Sequence, residues 1–454
     1  MKGWKISSPR DDFAKGEWWK LFGDRELDRL EAQVSVSNQT LKADEANYRQ
    51  ALALISEARA GLFPTLGLGA GFQRDRESIH APLRGPTTPT YYNDNSIGAS
   101  VGYELDLWGQ IRNEVAAGEA NAAASAADLE NARLSLTALL VADYIELRSL
   151  DRDSAILDQT VKTYSRALGL TRQRHDAGIA PGLDVSQAQP QLDAARSQAA
   201  QTLAQRALME HAIAALLGVS ASTFSIEPQI VDVKLPHVPS GVPATLLQRR
   251  PDIAGAQRRM IAANANIGVA RAAYFPTLTL GAQGGYLSSG YSNWLSAPSA
   301  FWALGPNALL SVFDGGLRRA QVAQARAQFD ASAANYRSIV VAAFQQVEDS
   351  LATLNHYHDA AVDETAAVEA AQRTLDLSMA LYVKGATDYL TVVTSQTAAL
   401  QTQLEALNLD TLQLLASVDL IRALGGGWED SAGVLQLQRT TQSAQSDRNF
   451  AGAQ

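Results

Sequence analysis

The sequence contains no cysteine. This excludes disulfide frameworks, thiolate metal sites and thiol nucleophiles together. Histidine is scarce too, with 6 in 454 residues, and His175, His211 and His237 stand alone. No basic excess is present: Lys+Arg 38 against Asp+Glu 47 leaves a formal charge of −9. A nucleic-acid binder needs a basic face to displace counterions, so that class is set aside. Long apolar runs are also missing. The longest stretch free of charge and histidine covers 272–313, and Pro276, Pro298, Pro306 and several glycines interrupt it. No transmembrane helix can be drawn through it. The first residues, MKGWKISSPRDDFAKGEWW, lack the apolar core of a secretory signal. With 46% hydrophobic and 19% charged residues, the chain still has the composition of a folded protein.

What is present is a repeat. EARAGLFPTLGLGAGF (57–72) returns as VARAAYFPTLTLGAQGGY (269–286), with Pro64 matched by Pro276. LWGQIRNEV (107–115) returns as FDGGLRRAQV (313–322), and HDAGIAPGLDVSQAQ (175–189) as YVKGATDYLTVVTSQ (382–396). ALLGV (215–219) returns as RALGG (422–426). The glycine pairs Gly109/Gly315, Gly178/Gly385 and Gly218/Gly425 are offset by 206, 207 and 207 residues. Four matches in one order indicate a tandem duplication into two pseudo-equivalent halves.

Each half opens with an Ala-rich helix, about Asp24–Gly61 and about Pro243–Ala273. Two strands follow. In the first half Leu66, Leu68, Ala70 and Phe72 alternate with glycine and glutamine. Ile97, Ala99, Val101, Tyr103 and Leu105 alternate with small or polar residues, as do Leu278, Leu280, Ala282 and Tyr286 in the second half. The fourth segment, about Phe301–Phe313, is less regular and carries Pro306. Period-two segments of about ten residues with one apolar side fit strands crossing a bilayer. The pattern alone fits a half-buried strand of a soluble sheet equally well.

After each strand pair comes a proline-free helical stretch, Gln110 to about Asp176 and Gly316 to about Lys384. Nearly 70 residues give roughly 100 Å of helix, more than a globular domain spans. A Gly-containing break and a second helix follow, about Leu183–Leu217 and Leu390–Leu424, so each unit is a long hairpin. From Val322 to Leu354 the apolar seam takes nine steps over 32 residues, 3.56 per step. That lies between the coiled-coil and straight-helix values and predicts nearly straight helices. Pro190, inside a helical run, predicts a kink.

No catalytic constellation emerges. His356 and His358 are two apart and point about 200° apart on a helix, so one helix cannot offer both to one ion. Gly425-Gly426-Gly427 lacks the Lys-Ser/Thr of a phosphate loop and reads as a helix end. Asp106, Asp314 and Asp388 fall at element ends, where aspartate bonds the backbone. Arg249-Arg250-Pro251-Asp252-Ile253 reads as a helix start.

LLQRRPDIAGAQRRMIAANANIGVARAAYFPTLTLGAQGGY (246–286) closely resembles the hallmark segment of the TolC-like outer-membrane factors. It is most similar to their lipoprotein (NodT-like) branch, which serves RND-type tripartite efflux pumps. GEWWKLFGDRELDRL (16–30), YELDLWGQIR (103–112) and SVFDGGLRRAQ (311–321) are typical of the same branch, and the likeness spans about 16–428. It implies an α+β membrane protein, a homotrimer in which each protomer gives four strands to a 12-stranded outer-membrane β-barrel. A periplasmic α-helical barrel continues it, with a mixed equatorial domain.

On this pattern the chain divides into an N-terminal equatorial segment 1–23, a first repeat 24–218, an equatorial linker 219–242, a second repeat 243–425 and a tail 426–454. The resemblance implies a non-enzymatic exit duct without cofactor or metal. It would pass drugs or other toxic compounds from an inner-membrane RND-type transporter, through a periplasmic adaptor protein, to the cell exterior. The alternatives are a type I protein-secretion channel and a water-soluble structural coiled coil.

The family's adaptor-docking tips match Gly178-Ile179 and Gly385-Ala386. A Tyr–Asp bond that shuts the inner hairpin matches Tyr382 and Asp184. Where many members place constriction aspartates, this chain has Thr391 and Thr394, with Asp388 the acidic residue nearby. A strong cation-binding ring is therefore not expected. The branch also carries a signal peptide and a lipidated cysteine before a Gly-Pro-Asp-Tyr stretch. None of these stands in the sequence as written, which without an export signal would not itself reach the outer membrane.

Overall fold

The computed structural model describes residues 17–80, 85, 87, 89–231, 233–236 and 250–426. The chain runs α1 (Arg25–Ser37), α2 (Gln39–Ala60), β1 (Thr65–Arg76), β2 (Tyr91–Glu104), α3 (Gln110–Asp176) and α4 (Gly182–Leu216). Then come α5 (Pro251–Ala272), β3 (Thr277–Ser288), β4 (Ala300–Leu309), α6 (Leu317–Val383) and α7 (Tyr389–Ala423). Corresponding helices match in length: 22 residues in α2 and α5, 67 in α3 and α6, 35 in α4 and α7. No described helix is long and apolar enough to cross a membrane.

Several limits differ from the sequence reading. The first helix is two. Asn38 leaves the helical range at ψ 128 and caps α2, its Oδ1 accepting from the Thr40 and Leu41 amides. Its Nδ2 donates to the carbonyl of Leu216, so the break is fixed from a distant part of the chain. β2 starts at Tyr91, and β4 ends at Leu309 rather than Phe313. Asp314 closes the following turn by accepting from the Gly316 and Arg318 amides. α5 starts at Pro251. The expected helical residues 243–249, Arg249 among them, lie outside the described residues, as do His237, Gly427, most of 1–23 and nearly all of 426–454. α4 passes through Pro190 without interruption.

The chain divides into two compact units. One comprises 47–126 and 255–337 and holds the sheet. Its four strands lie antiparallel in the order β1-β2-β3-β4, leaving β1 and β4 at the edges. Pro306 sits on β4, an edge strand, where its missing N–H costs least. The register places Gly69, Gly98 and Gly285 side by side. A Cβ at Gly285 would lie 2.1 Å from the Ile97 carbonyl oxygen, so only glycine permits this strand approach. The Trp108 indole donates to the Pro276 carbonyl at 2.8 Å and stacks on Phe275, tying the end of β2 to the start of β3.

The other unit comprises 1–46, 127–254 and 338–454. Its main core joins Trp18, Phe22, Leu27, Leu30 and Val34 to Leu140, Val141, Tyr144 and Ile145 of α3, Ile213 of α4, and Val418 and Ile421 of α7. Beside it lies a buried charge network. Asp151 accepts from Arg148 at 2.9 Å and from Arg206 at 2.6 Å, and Arg206 also pairs with Glu210. The two guanidinium groups hold the carbonyls of Glu227 and Ile226, and Asp151 takes the Gln229 amide. A non-helical segment is thereby fixed to α3 and α4 by charge-assisted bonds. Losing one partner from such a buried set strands the others at a cost of about 3–5 kcal/mol.

Glu31 of α1 is 2% exposed, and its Oε1 has no partner. Burial pushes its carboxyl up to about 8, against a smaller opposing effect of Thr137. The folded state therefore holds a proton that the unfolded chain releases near the ordinary value of 4.5. The stability tied to that proton is complete below about pH 4.5 and is lost as pH rises through about 8. Glu31→Gln keeps the shape without the titration. Its melting temperature should exceed wild type by a margin that grows from pH 5 to about pH 8 and levels off by pH 9. The gap should reach a few kcal/mol, at about 1.4 kcal/mol per unit of displacement. A constant difference across that range would contradict the assignment.

Candidate functional site

Two features carry functional information: a sheet with unlike faces and a pair of joined hairpin tips. One sheet face holds Leu66, Leu68, Ala70 and Phe72 beside Ile97, Ala99 and Val101, then Leu280, Ala282 and Tyr286, then Trp302 and Leu304. The other holds mostly Gly, Ser, Thr, Ala, Asn and Gln. Within the protomer the apolar face is uncovered: Leu66 is 72%, Leu68 85%, Trp302 81% and Leu304 74% exposed. In water each such side chain would forgo about 1.5–3 kcal/mol of burial. A contiguous apolar surface of this kind belongs against another apolar medium.

The tips lie in the other unit. α3 ends at Asp176 and α6 at Val383, and both turns follow one plan. Gly178 takes φ 74 and Gly385 φ 73, a range that costs glycine nothing. The Gly178 amide bonds the His175 carbonyl and the Ile179 amide that of Arg174. Gly385 to Tyr382 and Ala386 to Leu381 repeat the pattern. Both are Schellman closures, which satisfy carbonyls that a helix end would leave open. Ile179 stands 66% exposed and Ala386 is exposed as well.

The next helices begin differently. Asp388 caps α7, accepting from the Thr391 amide and hydroxyl. Those bonds, the hydroxyl's first, hold its carboxyl below the ordinary range. α4 is preceded by Pro181, which offers no side-chain cap. Its acidic residue, Asp184, lies in the first turn, where the helix dipole favours a negative charge. It is free to reach outward, and it accepts from the Tyr382 hydroxyl at 2.9 Å.

That bond joins the two hairpins and is 7% exposed on the Asp184 side and 3% on the Tyr382 side. Burial first, then Asp184, drives the Tyr382 phenol above its usual range, so it stays a donor. Tyr389 packs edge-on against Tyr382 at 5.1 Å, its own phenol pushed up to about 12 by burial. Leu168, Ala188, Leu192 and Val392 complete the surrounding core.

The structure thus brings Tyr382 and Asp184 into contact and sets Gly178, Ile179, Gly385 and Ala386 at the turns. Thr391 and Thr394 are exposed on α7 beside Asp388, and the Thr394 hydroxyl donates to the Thr391 carbonyl. Sequence reasoning missed Arg174. Its Nη1 donates to the Tyr382 and Val383 carbonyls at 3.1 and 2.8 Å, the open end of α6. Its guanidinium also lies 4.8 Å from the Tyr382 ring centre. The available signal was an arginine one turn before the tip glycine, with Tyr382 and Tyr389 flanking the other tip.

Apolar strands are uncovered in one unit, and helical hairpins are joined at their tips in the other. The family model described as Outer membrane efflux protein matches residues 31–219 and 242–426, and the chain belongs to that family. The chain is 31% identical over 432 residues to the probable efflux pump outer membrane protein TtgC of Pseudomonas putida, covering 95% of this chain and 89% of that one. It is 33% identical over 421 residues to the pyoverdine export outer membrane protein OpmQ of Pseudomonas aeruginosa, covering 91% and 88%. Among solved structures it is similar to the outer-membrane channel OprN, with a TM-score of 0.85 at 28% identity over 92% of this chain and 94% of that one. It is an efflux protein of the outer membrane.

The Tyr382–Asp184 bond yields a direct test. In a cycle of Tyr382→Phe, Asp184→Ala and the double variant, the single changes should each cost about 1–3 kcal/mol, as charge-assisted bonds do. The double variant should cost less than their sum by at least about 0.5 kcal/mol. Thermal unfolding of the detergent-solubilised protein measures this, and strict additivity would show that the two groups act independently.

Proposed function

We propose that the protein is the passive exit duct of a tripartite efflux pump. The observation that carries this reading is the sheet: one face largely apolar and exposed, and edges open at β1 and β4. In lipid an open edge leaves backbone groups unsatisfied at several kcal/mol each, so strands cross a bilayer only in closed barrels. Four antiparallel strands are too few to close. Because their number is even, copies joined β4 to β1 continue the antiparallel order, and three copies give a 12-stranded barrel in contact with outer-membrane lipid. The long hairpins then continue as a periplasmic tunnel, and the two halves, 24–218 and 243–425, contribute equivalent parts of its wall. The described residues 17–23 and 219–231 belong to an equatorial domain. In mild detergent the particle should have the mass of a homotrimer, measured by light scattering. A folded, monodisperse monomer or dimer would refute this architecture.

An inner-membrane RND-type transporter supplies the energy, and a periplasmic adaptor docks on Gly178-Ile179 and Gly385-Ala386. The names of the relatives point to small, toxic or secreted molecules as cargo. Tyr382–Asp184 holds the inner end closed, with Asp388, Thr391 and Thr394 at the constriction. Their hydroxyls and single carboxylate make a weakly charged ring with little affinity for cations. Tyr382→Phe with Asp184→Ala should raise single-channel conductance severalfold in planar bilayers. Ile179→Asp with Ala386→Asp should leave trimers intact and abolish drug efflux in cells, since each puts a charge into a desolvated contact. Unchanged conductance would place the gate elsewhere, and full efflux would reduce the tips to turns.

A further inference from the structure

Outside the gate and the sheet, the helical unit contains a cavity of about 190 Å³ bordered by Trp18, Trp19, Glu31, Glu130, Arg133 and Thr137. At about 30 Å³ per water, it has room for some six waters or one small organic group. Its inner wall carries Glu31, whose Oε1 meets no donor while the residue is 2% exposed. Beside it Trp18 is fully buried, with Trp19 packed edge-on to it at 6.4 Å between ring centres.

A carboxylate in such a place is costly unless a cation or several donors meet it. None of the nearby described cations meets Glu31 Oε1. Arg133 pairs with Glu130 at 2.7 Å and remains 46% exposed, so this pair forms the rim. Lys20, on the turn that carries the tryptophans, pairs with Glu17 at 2.6 Å. Lys42, next to the lining residue Leu41 on α2, is exposed. Asp28, one turn earlier on α1, adds negative charge and has a buried oxygen of its own without a partner. Carboxylate, two indole rings and a threonine hydroxyl form the kind of surface that takes an organic cation, since indole faces attract ammonium and guanidinium groups.

We propose that this cavity is a binding site for a small organic cation, an alkylammonium or guanidinium group, with Glu31 as its counter-ion and Trp18 and Trp19 as its walls. The site stands apart from the duct reading and does not depend on it. Binding exchanges a proton for the cation: the neutral Glu31 carboxyl releases H⁺ to solvent, and the carboxylate pairs with the ligand. Because the empty carboxyl titrates at about 8, apparent affinity should rise about tenfold per pH unit below that value and level off above it.

The cation comes from solution. The test uses the full chain in detergent, with n-butylammonium chloride as probe and n-butanol and NaCl as controls, read by calorimetry and by tryptophan fluorescence at pH 6.5, 7.5 and 8.5. Binding by wild type at pH 8.5 that weakens about threefold at pH 7.5 and a further roughly eightfold at pH 6.5 supports the site, provided it is absent with n-butanol and in Glu31→Gln. Trp19→Leu, which keeps the carboxylate, should weaken it severalfold. An equal response in Glu31→Gln, or none in wild type, overturns the proposal.

Discussion

The division of the sheet into an apolar face and a small polar one constrains everything else in the molecule. Most large apolar side chains project from one side, and the other is mostly small or polar. Such a sheet cannot be stable alone in water, because its exposed leucines and tryptophan would forgo their burial. Nor can it rest in lipid with its edges open. On the proposed reading it is completed by both an apolar medium and further strands. Gly285 shows how tightly the backbones must approach to make that surface, since nothing larger fits against the Ile97 carbonyl.

Within the helical unit the corresponding demand is to hold two hairpins together at their tips. The two hairpins have equivalent turns, but only one of the following helices caps itself. Asp388 is occupied by its own backbone, whereas Asp184, behind an uncapped Pro181, is available to Tyr382. Arg174 then serves both hairpins, extending from α3 to finish the carbonyls of α6. Departure from exact repetition creates the link between the halves.

Much of the fold was legible because the chain is clearly punctuated. Gly178, Gly385 and Gly425 stop helices within a residue or two of where they were expected, and proline-free stretches ran as unbroken helices. Strand faces were legible from period two. Asn38 was not, because the break depends on a carbonyl in α4 rather than on local preference. The Arg148–Asp151–Arg206 network escaped notice for a related reason: charges on an Ala-rich helix look like a solvated face until a non-helical segment packs over them. Of the site, the Tyr382–Asp184 contact came from family resemblance alone. Nothing in spacing joins residues 198 apart.

The equal lengths of the paired helices carry a historical consequence. α3 and α6 have 67 residues each, and α4 and α7 have 35 each, while their sequences have drifted widely apart. Substitutions accumulate independently in the two copies, but length cannot. Removing two turns from one hairpin would withdraw Asp184 or Tyr382 from its partner, and the loss could be recovered only by a matching deletion some 200 residues away. The two halves therefore inherit freely in composition and jointly in length, and insertions should be confined to loops between strands and to the segments flanking the helices.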